Sequence, residues 1–587
     1  MAFIPILLTV ITTILAFYLG FSAFSNEKMS SLYINCVYYI LIANILLWLL
    51  AVIETKSKNW RNEFTNYCRK HKWAIILAFL LTLCGALVSK PEFRILADET
   101  NLLSISQSLY EDRECKNLTS ATYYYYGFKN VIYYEIDKRP ALFPLIVSFV
   151  HSLSGYRPEN AFFVNILSCF FSLIIFYNLV TSRFGRFWGK CGMVLLSAYP
   201  LWVLYYTSAG FEVFNLLFSL ILFWYLAKFI KEPTAVNAEA LLLLLPLISQ
   251  TRYESSVALL SAIPAVFLML PKIEYRKFSY KLFLIPLLFV PVAWLRLLTD
   301  NDKGLQVAEV GKAAFALEHF YTNIKKAVSF FRGEDIAYGM IPILTYLAVT
   351  GLILLSIIVV TKAIKEKKID YKGIVFWSGV FLFYFLHAVI RFAYYWGDLT
   401  YRFNSRLGII FLPIIVFFAV ALLYYICLMF RLRKIIFAWV SVVLLFIYWP
   451  VAGQNLGVRE LVLYREFRAA KEYLERFYPN KNEYILVADR ANLYVPFKYS
   501  TIGFNYFKNN FASMKNSLEN RTYRHILFLQ TIDKASGKAL SKCSIPSSIK
   551  PETLYETQLK ADQYLRVSIY SLYMNKKSLL EFDYFDK

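Results

Sequence analysis

Asp98 and Glu99 stand side by side just beyond an apolar run, in Arg94-Ile95-Leu96-Ala97-Asp98-Glu99-Thr100. About forty residues later, Asp137-Lys138-Arg139-Pro140-Ala141-Leu142-Phe143 opens a second apolar stretch. Glu212 lies in Ser208-Ala209-Gly210-Phe211-Glu212-Val213-Phe214, and Arg252 interrupts another apolar pair in Thr251-Arg252-Tyr253-Glu254. Ionisable side chains at the border of a membrane span are costly to keep there, so their presence argues for a task. Carboxylates and cations converging at one membrane face suit transfer from an anionic lipid-linked donor. A carboxylate deprotonates or orients an acceptor hydroxyl, while cations neutralise a departing phosphate.

Each residue also has a plainer reading. Asp98 suits the N-cap of a short amphipathic helix over 101–109. Arg139, Arg402 and Arg406 suit interfacial anchors whose stems lie along apolar surface, and Glu212 suits a solvated span end. The tyrosine run 123–126 reads as an interfacial aromatic belt in preference to a sugar-stacking platform.

The elements that must position these residues are membrane helices. The chain has 587 residues, of which 58% are apolar and 18% aromatic, far more than several soluble cores would need. Apolar runs of about 20 residues, the length that crosses a bilayer as helix, recur along most of it. About thirteen spans are predicted, at 3–24, 31–53, 72–89, 160–181, 189–208, 211–230, 238–250, 253–271, 279–298, 339–363, 373–393, 408–430 and 435–452. The 238–250 run is short, so the 238–271 pair reads as a broken or tilted hairpin. The apolar stretch 141–155 carries Pro144 and His151 and reads as an interfacial helix. The first span lacks a basic leader and a small-residue cleavage site, and is read as retained.

Charge sets the sidedness. The net charge is +23, and the excess sits in short loops at 56–72, 183–190, 272–281, 362–372 and 431–434. These are expected on the cytoplasmic side. The basic balance fits attraction to anionic membrane lipids, and no motif points to nucleic acid. Loop 90–159, the turn around 208–212, loop 299–338 and everything after 453 then fall outside. In loop 299–338, the stretch 314–331 reads as an amphipathic helix lying on the membrane, with Lys325, Lys326 and Arg332 near lipid phosphates.

The tail is a different kind of sequence. Residues 459–477 have helical apolar spacing, and 483–488 and 524–529 read as strands. The expected organisation is a transmembrane domain over 1–453, carrying a catalytic outer loop at 90–159, and an α/β domain over 454–587. Of eight cysteines, only Cys115 and Cys543 fall outside the membrane and its inner loops, which leaves one disulfide open. The five histidines show no metal-ligand spacing.

The order of these features resembles the GT-C membrane glycosyltransferases of the bacterial aminoarabinose-transferase and protein O-mannosyltransferase type. It runs span, Asp-Glu-Thr, a loop of about forty residues, a basic-Pro-x-Leu-aromatic helix start, span, basic turn, span and outward acid, over roughly residues 72–430. The resemblance implies an inverting enzyme that moves a sugar from a polyprenyl-phosphate donor to a lipid or protein acceptor. On it, Asp98 matches the catalytic acid of the first loop, with Glu99 beside it. Glu212 matches the acid of the second loop. Arg139, Arg252 and Arg402 match cations that approach the donor phosphate, and Lys138 beside Arg139 is read as assisting them. Two departures stand out: Asn101 follows Asp-Glu-Thr where the family often has Arg, and Lys138 stands where the aminoarabinose enzymes place an acid. The second removes a metal ligand, so the resemblance leaves a divalent metal open, with Asp137 or Glu135 as substitutes.

The expectation is thus a polytopic α-helical membrane protein of GT-C type in a bacterial inner membrane. Its active site and C-terminal α/β domain face outward. Two alternatives remain, a lipid-linked oligosaccharide flippase or transporter and an O-antigen polymerase or ligase. The first calls for mid-membrane charges and internal repeats, and the second for a large outer loop between late spans.

Overall fold

The computed structural model describes residues 3–56, 60–123, 129–300, 315–366, 370–454, 462–546 and 549–571. The tyrosines at 124–126, residue 314 and the first residues of the 459–477 helix lie outside that set.

The protein is a multi-pass α-helical membrane protein. Among the described residues, nine helices are long and apolar enough to cross a membrane: Asn26–Glu54, Trp60–Val88, Glu159–Phe184, Glu212–Lys231, Lys281–Thr299, Pro342–Glu366, Tyr371–Ala393, Ser405–Met429 and Lys434–Gly453. A tenth arises if Arg186–Ala198 and Pro200–Tyr206 count as one span bent by 76°. Tyr199 at the bend is extended, with φ −64° and ψ 120°, the conformation that a following proline imposes. The remaining apolar helices Leu7–Phe21, Ala235–Ser249 and Tyr253–Met269 are shorter. All thirteen stretches are therefore helical, and among the described residues nine or ten have the length and apolarity to cross a membrane. Leu142–Ser154 is short as well, as its Pro144 and His151 imply.

The 238–271 pair is broken where the sequence suggests. Ala235–Ser249 stops at Gln250, Arg252 is fully extended at φ −153° and ψ 145°, and Tyr253–Val257 continues as a single tight 3-10 stretch. A mid-helix switch of this kind often marks a functional hinge.

The chain divides into two compact units. One is Met1–Ile95, Leu109–Cys115 and Ile136–Gly457; the other is Leu96–Ser108, Lys116–Glu135 and Val458–Lys587. This differs from a boundary at 453, because much of loop 90–159 groups with the tail.

In the first unit a single apolar core joins the helices. Gly351 in Pro342–Glu366 faces Phe418 of the next-but-one span so closely that a Cβ would overlap the Phe418 carbonyl oxygen. Small residues at such crossings let helix backbones approach. Lys281 is buried and pairs with Glu54 and, at 3.7 Å, with Glu239, so its charge is compensated. Leu317–Arg332 is the expected amphipathic helix: Asn323, Ala327 and Phe330 are buried, while Leu317, Tyr321, Ile324 and Val328 form an exposed stripe.

The second unit is built on a seven-stranded sheet: β1 Asn117–Tyr123, β2 Lys129–Glu135, β3 Tyr484–Ala488, β4 Thr501–Ile502, β5 His525–Asp533, β6 Glu552–Lys560 and β7 Gln563–Tyr570. Their order is β2-β1-β4-β3-β5-β7-β6. β3 is parallel to both β4 and β5, and the other pairs are antiparallel. β3 is buried throughout, as continuous apolar runs in parallel pairs tend to be. The helix Val462–Phe477 presents Phe467, Ala470 and Leu474 as its buried stripe. Cys115 and Cys543 are both buried free thiols, so the open disulfide is not formed, and burial pushes the Cys115 thiol up to about 12.

Gly351→Ala is expected to destabilise the first unit by about 1–3 kcal/mol, the usual cost of overpacking. A lowered unfolding midpoint of the purified protein in detergent checks this; an unchanged midpoint contradicts the close crossing.

Candidate functional site

The helix that carries Asp98 and Glu99 runs Leu96–Glu111, so it starts earlier than predicted and Asp98 is not its N-cap. Both acids lie in its first turn, where unpaired backbone N–H groups and the helix dipole favour negative charge. Glu99 is buried and Asp98 half-buried. The rest of the second unit braces this helix. Ser104 Oγ donates to the Leu118 carbonyl at 3.2 Å and accepts from its N–H at 2.7 Å. Gln107 donates to the Tyr123 hydroxyl at 2.9 Å, and Asn492 donates to Asn101 Oδ1 at 3.2 Å. Asn101, the departure from the family pattern, is thus held by the C-terminal segment.

In the first unit, Arg94 ends the segment that leads into this helix. Its fully buried guanidinium pairs with Glu92 at 2.6 Å. It also donates to Ser89 Oγ and the Lys90 carbonyl at 2.9 Å each, to Thr207 Oγ1 at 3.2 Å and to the Leu204 carbonyl at 3.3 Å. A buried arginine with its donors filled fixes both the 89–94 segment and the 204–207 turn.

That turn leads into Glu212, the first residue of Glu212–Lys231. Asn165 donates to the carbonyls of Ser208 and Gly210 at 2.8 and 2.5 Å, and a Cβ at Gly210 would overlap the Glu212 carboxylate. Glu212 Oε1 accepts from Arg252 Nη1 at 3.3 Å and from Arg406 Nη1 at 3.0 Å. Arg252 grips Glu254 with both arms, Nη2 to Oε1 at 3.0 Å and Nε to Oε2 at 3.2 Å. Arg391, near the end of Tyr371–Ala393, also pairs with Glu254. Arg252 lies over the Phe211 ring, 4.6 Å from its centroid. Thr251 and Ser255 each donate to Asn215 Oδ1 at 2.6 Å, which holds the Arg252 break to the Glu212 helix. Arg252, Arg391, Arg406, Glu212 and Glu254 therefore form one ion-pair network, in which all but the partly exposed Arg406 are buried. His387 and Asn215 complete the walls of a cavity of about 20 Å³ beside it, room for roughly one water molecule.

Arg139 enters the same neighbourhood. The helix Leu142–Ser154 begins with the Leu142 N–H donating to the Gln250 carbonyl at 3.2 Å, and the Phe143 ring lies 5.5 Å from that of Phe214. Asp137 turns back on Arg139, accepting from its backbone N–H at 2.8 Å and its Nη1 at 2.5 Å. Asp137 therefore orients a cation. Lys138 and Arg402 are exposed.

Of the residues named from sequence, Glu212 and Arg252 are in direct contact. Arg406, four residues after Arg402, pairs with Glu212. Glu254, Arg391, Asn215 and His387 were not singled out, although an arginine four positions after a histidine inside an apolar span is itself a signal. Among the described residues, no group of three or more His, Cys, Asp or Glu side chains is disposed to hold a metal ion. The network's acids already hold guanidiniums, so it does not fit a divalent cation.

No family model and no curated protein matches the chain. Solved structures do. ArnT from Cupriavidus metallidurans bound to undecaprenyl phosphate is similar at 9% identity and a TM-score of 0.43, over 85% of this chain and 98% of that one. The Archaeoglobus fulgidus oligosaccharyltransferase in its apo form is similar at 9% identity and a TM-score of 0.44, over 78% and 69%. Arabinosyltransferase EmbB from Mycobacterium smegmatis is similar at 11% identity and a TM-score of 0.35, over 66% and 33%. All three are GT-C glycosyltransferases. Likeness of this degree concerns the fold and assigns no residue.

Glu254→Ala leaves Arg252 and Arg391 buried without their shared carboxylate, and is expected to cost about 3–5 kcal/mol of stability. Arg402→Ala, at an exposed position, is expected to stay within about 0.5 kcal/mol. Thermal unfolding of the two variants side by side checks the contrast; equal midpoints would remove the network from the core of the fold.

Proposed function

We propose that the protein is a glycosyltransferase that moves a sugar from a polyprenyl-phosphate donor to a lipid or protein acceptor, with inversion at the anomeric carbon. The observation that supports this best is the convergence of the Arg252, Arg391 and Arg406 guanidiniums around Glu212 and Glu254. Arginine forks match phosphate oxygens in two-point contacts, and their attraction grows where water is excluded. The GT-C neighbours support glycosyl transfer in general, and one of them holds undecaprenyl phosphate.

In this reading the acceptor hydroxyl loses its proton to Asp98, assigned as base from its place in the sequence order. The acceptor oxygen bonds to the anomeric carbon, and the bond from that carbon to the phosphate oxygen breaks. The electron pair leaves with the lipid phosphate. Arg252, Arg391 and Arg406 stabilise the developing charge, and Lys138 and Arg139 extend the cationic surface from the start of Leu142–Ser154. Glu212 and Glu254 act as positioning residues that aim the guanidiniums. Glu99, buried next to Asp98, orients its helix turn. The basic loops, including Arg183 and Lys231 at the helix ends remote from Glu212, support a cytoplasmic assignment for that side. The network then faces the outer side of a bacterial inner membrane.

The test is transfer of radiolabelled sugar from a panel of polyprenyl-phosphate sugars into membrane extracts. Asp98→Asn is expected to lower transfer at least about 100-fold, the usual contribution of a general base. Arg406→Ala is expected to weaken donor use more than Arg402→Ala does. Because the network's acids are engaged by arginine, transfer is expected to continue in chelator. Full activity of Asp98→Asn would sink the base assignment, and no product from any donor would move the flippase reading ahead.

A further inference from the structure

Another concavity of the first unit lies toward the other ends of the helices that carry Glu212 and Arg391. A groove of about 390 Å³ runs between Glu159–Phe184, Glu212–Lys231, Tyr371–Ala393 and Leu412–Met429. Its walls are aromatic and aliphatic, with Phe223, Trp377, Phe417 and Tyr384 facing it. Its rim carries Arg183, Lys231, Lys372 and Asp370. Arg183 closes one helix and Lys231 ends the next, while Asp370 and Lys372 begin the third. All four are remote in sequence along their helices from Glu212 and Arg391, so the rim is separate from the arginine network.

Two features decide the occupant. The first is charge: the rim carries three cations and Asp370, whose Oδ1 is committed, accepting from the Gly373 N–H at 3.0 Å to cap the helix. Lys231 also meets the exposed Glu232 at 3.8 Å, a screened surface pair that leaves the cation open to a further anion. Lys231 and Lys372 are brought together at the rim, Lys372 Nζ lying 3.5 Å from the Lys231 carbonyl. The rim therefore asks for an anion. The second is length. From Asp370 to Tyr384 the helix rises roughly 20 Å at 1.5 Å per residue, within a hydrocarbon layer of about 30 Å. The groove is thus a lengthwise slot that starts at a charged rim and ends deep in the bilayer. Its floor is the Tyr384 ring, which lies 5.9 Å from Phe411.

We infer that this groove is a binding site for one anionic glycerophospholipid, whose phosphate sits on Arg183, Lys231 and Lys372 and whose acyl chain lies along Phe223, Trp377 and Phe417. A lipid with no net charge satisfies the apolar walls but not the rim, and a free anion satisfies the rim but leaves the walls empty. This site does not rest on the sugar-transfer reading, since its rim lies at the helix ends opposite Glu212 and Arg391.

The test uses the full-length protein purified in detergent and titrated with phosphatidylglycerol or phosphatidylcholine of identical chains, with bound lipid counted by native mass spectrometry. Each basic residue near a lipid phosphate is expected to contribute roughly five-fold to retention. Wild type should therefore hold phosphatidylglycerol at least about five-fold more tightly than phosphatidylcholine. Arg183→Ala with Lys372→Ala, both exposed and so safe for folding, should bring the two lipids to parity. Ala227→Trp, which fills the groove and leaves the rim intact, should cut retention of both lipids. Equal retention of the two lipids by wild type overturns the inference, as does a preference that survives in the double variant.

Discussion

The structure of the first unit turns on the ion pairs of Arg252. A charge held in the low-dielectric interior costs several kcal/mol unless it is paired and hydrogen-bonded. Arg252 meets that demand by joining Glu212, at the start of one span, to Glu254, at the start of another. Arg391 and Arg406 share the same two carboxylates from two further elements. Four helix ends are thereby tied at one level. Removing either carboxylate strips two guanidiniums of a shared partner, so the network behaves as one object. The small cavity beside it follows: the charges are satisfied by each other, and little space remains.

Local backbone irregularity serves the network. The extended Arg252 and the 3-10 stretch after it sit inside what would otherwise be one apolar hairpin, and Ser405–Phe411, which carries Arg406, is 3-10 as well. Irregular backbone at membrane depth is tolerated only where other protein groups satisfy it. Asn165 and Asn215 do that here, the first by capturing two loop carbonyls and the second by accepting two hydroxyls. These asparagines are buried inside spans, and they explain why polar residues persist in helices that lipid would prefer apolar.

Much of this was legible in the chain. Apolar runs located every membrane helix, because burial in lipid writes itself as composition over about 20 residues. The break at Thr251-Arg252 and the helix start at Glu212 were visible as charges interrupting those runs. What the sequence concealed was partnership. Arg402 and Arg406 sit in one polar stretch, and nothing in their spacing tells that Arg406, on the 3-10 helix, pairs with Glu212. The helices at 238–250 and 253–271 are apolar but short, and apolarity alone does not distinguish a crossing from a buried half-helix. The strands β1, β2, β4, β6 and β7 were missed: β1 is buried but built of Asn, Thr, Ser and Ala, β2, β6 and β7 mix Lys, Glu, Gln, Arg and Tyr without a clean alternation, and β4 has two residues, while the apolar, largely buried β3 and β5 announced themselves.

The tail's role follows from the missed strands. A C-terminal domain read as a separate cap would act on Asp98 only by covering it. The sheet instead takes β1 from the segment just after the Asp98 helix, pairing Ala121 with Thr501, while the Ser120 hydroxyl donates to the Thr501 carbonyl at 2.9 Å. Tyr123 is fixed through Ser500 by hydrogen bonds of 2.8 and 3.0 Å and holds Gln107 in turn. Asn492 reaches Asn101, three residues from Asp98. The orientation of the Asp98 turn is therefore set by residues nearly four hundred positions later in the chain. Core damage in β3 or β4 acts on the Asp98 helix as directly as damage within the 96–135 segment itself. The tail is a scaffold for the candidate base before it is anything else.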